Sequence, residues 1–225
     1  MITEPLFSAG GVIEPPPGWL ADLKRKCEER GALLILDEAQ TGLGKLGTMW
    51  GFERDGVVPD ILTVSKHFGG GISISAVITT DEIADAVEEK GFVFGHSHTS
   101  DPLACAAAAA TIGTIVAEDL PNKAAELGKS WRARLEMLGR RHPIIGDIRG
   151  RGLLQGIELT THPVKESSRG IGYAIERQCL ASGLLFSVRR NGTVLRFVPP
   201  WTTTEAQFDQ AAHILDKAFE TTPPA

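Results

Sequence analysis

Between residue 17 and about residue 120, short apolar runs without polar alternation follow helix-patterned stretches: "ALLILDEA", "DILTV" and "ISAVITT". A strand that meets water on one face alternates apolar with polar residues. One covered on both faces reads as a continuous apolar run, the habit of strands in a parallel sheet. Runs of that kind spaced by helices restrict the chain to an α/β arrangement, mainly parallel, with helices laid on the sheet. The helices are legible too. "PGWLADLKRKCEERG" puts Trp19, Leu20, Leu23 and Cys27 on one face, and Gly31 stops it. "DEIADAVEEKG" carries acids in its first turn. "DPLACAAAAATIGTIVAEDL" has strong intrinsic helix propensity and its alanines imply close helix packing. "FVFG", from Phe92, reads as a further strand.

After residue 120 the character changes. A helix beginning at Pro121 aligns Leu127, Trp131, Leu135 and Leu138, and serves as a connector over 121–141. "IIGDIRGRGLLQGIEL", "LLFSVRR" and "TVLRFVPP" are strand-like and punctuated by glycine, with the helix "GIGYAIERQCLASG" among them. A last helix opens near Thr204 and turns Phe208, Ala211, Leu215 and Phe219 inward. The expected organisation is an α/β domain over 1–120 and a smaller α+β unit over 121–225.

Composition narrows the function classes. A net charge of −5 spread over 225 residues, without a Lys/Arg block, argues against a nucleic-acid surface. No apolar run is long enough to span a membrane. "MITEPLFSAGG" lacks the order of a signal peptide. Cys27, Cys105 and Cys179 are odd in number and far apart, as in reduced thiols. A soluble, cytoplasmic protein is expected.

In an open parallel sheet, ligands bind beyond the carboxyl ends of the strands. "LLILDEAQTG" ends one strand at Asp37, and "DILTVSKHFGGG" ends another at Lys66 before a run of glycines. Two readings fit a carboxylate and an amine at one edge. One is a buried ion pair that closes the sheet. The other is a lysine of lowered pKa that forms a Schiff base with a carbonyl. If that carbonyl is pyridoxal phosphate, the chemistry also requires an acid against the pyridine nitrogen, and Asp37 is of the right type. "GLGKLG", Gly42 to Gly47, matches the dinucleotide fingerprint but does not follow its strand directly. "HSHTSD" offers His96, His98 and Asp101, too few spaced ligands for a transition metal.

The stretch "ILDEAQTGLGKLGTMWGFERDGVVPDILTVSKHFGGG" resembles the central signature of class III aminotransferases, pyridoxal-phosphate enzymes of fold type I. "LKRKCEERGALLILDEAQTG", "SDPLACAAA", "IGDIRGRGLLQGIEL" and "LRFVPPWT" extend the likeness over nearly the whole chain. They resemble most the decarboxylating members that act on 2,2-dialkylglycines. The resemblance implies amino-acid and keto-acid substrates, pyridoxal 5'-phosphate as cofactor, and a homodimer. Lys66 matches the lysine that holds the cofactor and shuttles the proton, and Asp37 matches the acid on the pyridinium nitrogen. Gln40 matches the glutamine beside the cofactor's 3-hydroxyl and the substrate. Ser97 stands for the hydroxyl residue that binds the phosphate of the partner's cofactor. Arg196 matches the clamp on the substrate carboxylate, and Asp101 an acid at an alkali-metal site.

Ala9 and Gly95 depart from the decarboxylating pattern, where a serine and a tyrosine stand near the active site and the ion site. The match is to about the second half of a family member. "MITEP" then opens a truncated sheet with an exposed edge. The alternative is a half-enzyme that keeps Lys66 and Asp37 yet acts only as a binding partner.

Overall fold

In the computed structural model, which describes residues 1–95, 97–160 and 169–221, the first apolar runs form the expected strands. β1 (Ile2–Thr3) is followed by α1 (Trp19–Glu28), β2 (Ile35–Asp37), β3 (Ile61–Val64) and β4 (Ala76–Thr79). The sheet runs β1-β2-β3-β4, with β1, β2 and β3 parallel. Leu20 and Cys27 of α1 bury against Leu34, Leu36, Leu62 and Val64, as the face read from the sequence requires. Asp60 sets the register. Its carboxylate accepts the Leu34 amide at 2.7 Å and the Lys24 ammonium at 2.7 Å, tying the entry of β3 to the entry of β2 and to α1. Asp37 therefore lies opposite Thr63.

Two expectations fail after β3. "ISAVITT" forms β4, but β4 is antiparallel to β3 and Val77 is 69% exposed, so the run is not covered on both faces. "FVFG" forms no strand, and Val93 is 89% exposed. Further on, α2 (Asp81–Glu89) has no buried residue, and the alanine-rich α3 (Pro102–Ala117) buries only Ala108 and Ile115. These elements carry apolar content while facing water here.

α4 (Leu120–Arg141) leads into β5 (Ile145–Arg151), β6 (Leu154–Leu159), α5 (Arg169–Ala181), β7 (Ser187–Arg189), β8 (Val194–Phe197) and α6 (Glu205–Thr221). Their sheet is antiparallel throughout, in the order β5-β6-β8-β7. Trp131 of α4 stacks on Phe208 of α6 at 5.1 Å between ring centroids and meets Phe197 of β8 edge-on at 5.5 Å. Gly128 lets α4 approach the β5–β6 turn, where a Cβ would lie 2.3 Å from the Gly152 carbonyl oxygen. The chain divides into two compact units: Met1–Pro5 with Pro15–Pro121, and Leu6–Glu14 with Asn122–Ala225.

α6 starts at a reciprocal cap. The Thr204 amide donates to Gln207 Oε1 at 2.9 Å, and the Gln207 amide donates to Thr204 Oγ1 at 3.3 Å. Thr204→Ala is expected to cost about 1 kcal/mol of stability, measurable as a lowered denaturation midpoint at unchanged slope. Among the described residues, no single helix is long and apolar enough to cross a membrane.

Candidate active site

Parallel pairing of β2 and β3 sends both strands the same way, so their carboxyl ends deliver neighbouring residues to one sheet edge. Asp37 closes β2. Its Oδ1 accepts the Ala39 amide at 3.0 Å and the Thr63 hydroxyl at 3.1 Å, which fixes the carboxylate from both strands. The next residue, Glu38, turns inward and is 1% exposed; it accepts the Thr41 hydroxyl and the Phe52 amide. That inward carboxylate anchors the turn carrying Gln40, which is half-buried.

Lys66 leaves β3 two residues past its end and opens a short 3₁₀ turn, Lys66–Gly69. The sequence implied a desolvated lysine. The structure places Lys66 exposed in this chain, with its backbone at φ 54, in the left-handed region that L side chains rarely adopt. Non-glycine residues held there cluster at functional sites. The glycines serve a close approach: at Gly70, φ 58, a Cβ would lie 2.6 Å from Thr111 Oγ1 of α3.

Two groups that sequence reasoning missed lie beside Lys66. His67 Nε2–H donates to the Gly42 carbonyl at 2.8 Å. Burial, then the charges of Lys45 and Lys66, hold this imidazole below its ordinary pKa. Lys45, inside "GLGKLG", is 5% exposed, and burial pushes its ammonium down to about 8. The available signal was a lysine enclosed by glycines. No helix opens behind Gly47, as the dinucleotide reading would require.

Ser97 is exposed in the loop before α3. Asp101 caps α3, accepting the Leu103 amide at 3.0 Å, and its other oxygen lies 3.4 Å from His98 Nδ1. His96 lies outside the described residues. Among those described, no group of three or more His, Cys, Asp and Glu side chains is placed to hold a metal ion. Arg196 belongs to the second unit. Its Nη1 donates to Ser8 Oγ at 2.9 Å and its Nε to Ser187 Oγ at 3.0 Å, beside a cavity of about 720 Å³ that Trp131 and Phe186 also line. In the first unit Asp37 and Gln40 stand at and after the end of β2 and Lys66 after the end of the neighbouring β3, and the second unit holds Arg196.

The family model for class III aminotransferases matches residues 1–219. The chain belongs to the class III aminotransferases. It is 45% identical over 224 residues to an uncharacterized aminotransferase of Schizosaccharomyces pombe, covering 97% of this chain and 50% of that protein. Among solved structures, an amine transaminase from an uncultivated Pseudomonas species, in a PLP-bound form, is 34% identical with a TM-score of 0.90, over 99% of this chain and 52% of that one. The ornithine aminotransferase of Toxoplasma gondii is 32% identical with a TM-score of 0.87, over 98% and 50%. The chain therefore spans about half the length of the relatives it matches. Class III aminotransferases use pyridoxal phosphate, and the α/β chain is a part of their fold type I architecture.

Proposed function

We propose that this chain supplies the lysine, the acid and the carboxylate clamp of a pyridoxal-phosphate-dependent aminotransferase acting on amino and keto acids. The observation that carries the reading is the placement of Asp37 and Lys66 at the carboxyl ends of adjacent parallel strands in a class III chain. An amine and a fixed carboxylate at one edge fit the cofactor's two demands, a carbonyl partner and a countercharge at the ring nitrogen. When bound, pyridoxal phosphate supplies an electron sink for charge that develops at the substrate carbon. Lys66 would hold the cofactor and move the proton at its Nζ. Asp37, oriented by Ala39 and Thr63, would keep the ring nitrogen protonated. Gln40 would contact the ring hydroxyl and the substrate, and Arg196 the substrate carboxylate.

The chain corresponds, on this reading, to the C-terminal half of its relatives and works as a homodimer, with Ser97 serving the neighbour's cofactor phosphate. The apolar surface that β4, α2 and α3 leave in water supports a covering partner. A finer reading adds decarboxylation of 2,2-dialkylglycines with an alkali-metal ion at Asp101. It is supported by the signature stretches and opposed by Ala9 and Gly95. Release of carbon dioxide from 2-aminoisobutyrate tests it.

The deciding experiment mixes the purified chain with pyridoxal phosphate, reduces with borohydride, and locates the modified peptide by mass. Near-complete labelling of Lys66 alone is expected. Labels scattered over surface lysines would reject the reading and leave a half-enzyme that only binds partners.

A further inference from the structure

We propose that Ser8 and Ser187 are positioning residues for Arg196, holding its guanidinium as a preset clamp for a carboxylate. The inference rests on the aminotransferase reading only for the identity of the carboxylate as substrate. Arg196 sits on β8 between Leu195 and Phe197, both buried, so its strand is fixed on the opposite face. Ser187 is its register partner on β7, and the serine hydroxyl accepts from Nε at 3.0 Å. Ser8 comes from the far end of the sequence, 188 residues away, and accepts from Nη1 at 2.9 Å.

The Ser8 hydroxyl can act as a fixed post because its loop is itself fixed. Phe7 and Ile13 form an isolated antiparallel bridge, closing the loop with two backbone hydrogen bonds: the Phe7 amide donates to the Ile13 carbonyl at 2.9 Å and the Ile13 amide to the Phe7 carbonyl at 3.1 Å. Inside it the Gly11 and Val12 amides donate to the Ser8 carbonyl at 3.3 and 3.2 Å. Arg149 reaches from β5 and donates to the Gly11 carbonyl at 2.8 Å and the Val12 carbonyl at 2.9 Å. Glu14 accepts the Gly150 amide at 3.0 Å. Ser8 is 1% exposed, so its hydroxyl is spent inside this unit rather than on water.

Both posts are neutral. A hydroxyl orients an N–H without cancelling the guanidinium charge, which a carboxylate in the same place would do. A flexible arginine must be ordered when it binds, whereas one held at Nε and Nη1 has been ordered during folding, so a carboxylate meets a set fork.

The test follows the ¹⁵N resonance of the Arg196 Nε–H, assigned by its loss in Arg196→Lys, while pyruvate is titrated as the probe carboxylate. The signal is expected to shift saturably in the parent chain. Ser8→Ala and Ser187→Ala should each weaken pyruvate binding about fivefold, the order of the cost of immobilising one long side chain on binding. Ser187→Thr, which keeps the hydroxyl on a strand position suited to threonine, should restore the parent affinity. Arg196→Lys should lose more than either serine variant, because it keeps the charge and loses the fork. Unchanged affinity in both alanine variants overturns the proposal, as does a resonance that ignores pyruvate in the parent. Ser187 is half-exposed, so that variant stays informative if Ser8→Ala does not fold. Labelling of Lys66 is independent of this titration: its failure with these results intact would remove the cofactor reading and leave the clamp standing.

Discussion

Lys66→Gly is expected to be more stable than both the parent chain and Lys66→Ala by a fraction of a kilocalorie, while both variants lose the borohydride-trapped cofactor that the proposed function assigns to Lys66. The first half of that expectation comes from the backbone. Lys66 sits at φ 54, where an L side chain costs about 1–2 kcal/mol relative to the right-handed region. Glycine removes that strain but adds roughly 0.5–1 kcal/mol of unfolded-state entropy, so relief wins by a fraction of a kilocalorie. Alanine keeps the strain and loses only an exposed side chain, so its stability should match the parent's. The second half comes from chemistry: neither glycine nor alanine can attach to the cofactor carbonyl or carry a proton, and proton transfer alone is worth about 10²–10⁴ in rate. Thermal melts of the three chains check the order. A glycine variant that melts below the alanine variant would show that the turn does not strain Lys66. Cofactor trapped at the parent's yield in either would remove the lysine from the proposed mechanism.

How far the site was legible depended on whether its chemistry was written in strand ends. Asp37 and Lys66 close continuous apolar runs, and period and position alone place both at the carboxyl edge of a parallel sheet. Arg196 carries no such mark. It is one polar residue among apolar neighbours on an antiparallel strand, and only the family resemblance singled it out. The role of Leu6–Glu14 was hidden for a related reason: its attachment to Arg149, Gly150 and Arg196 spans well over a hundred residues. Local pattern cannot encode a partner at that separation.

The errors have a common cause. "ISAVITT" was read as a strand covered on both faces, "FVFG" as a further strand and the alanine-rich α3 as a closely packed helix, because apolar content usually finds cover within its own domain. In a chain that spans half of its relatives, Val77, Val93 and Leu103 lie in water instead. The pattern was read correctly as apolar, but apolar content does not by itself fix burial. Unit two makes the contrast: Trp131, Leu135 and Leu215 were expected on inward faces and are buried there by their own α4–α6 packing.

Lys45→Met is expected to stabilise the chain by about 2 kcal/mol near pH 7, with the gain fading at alkaline pH. Burial lowers the Lys45 ammonium from its ordinary 10.5 to about 8. Below pH 8 the amine is charged in both the folded and the unfolded chain, so the folded state bears the whole penalty of a buried charge. That penalty is on the order of 3 kcal/mol at 1.36 kcal/mol per unit. Between pH 8 and 10.5 the unfolded chain still binds the proton and the folded chain has released it, so stability of the parent rises with pH. Above 10.5 neither form is charged and the difference from methionine falls to a packing residue. Methionine matches the unbranched stem, and contacts of the ammonium that are lost in the exchange reduce the gain from 3 to about 2 kcal/mol. Denaturant titrations of both chains at pH 7, 9 and 10 measure the convergence. A difference that stays flat across this range would mean that the buried amine keeps its proton throughout. The same substitution removes one of the charges that depress His67, so its imidazole should titrate higher in Lys45→Met than in the parent. That shift, read by NMR, would tie the buried lysine of the glycine-rich loop to the turn that presents Lys66.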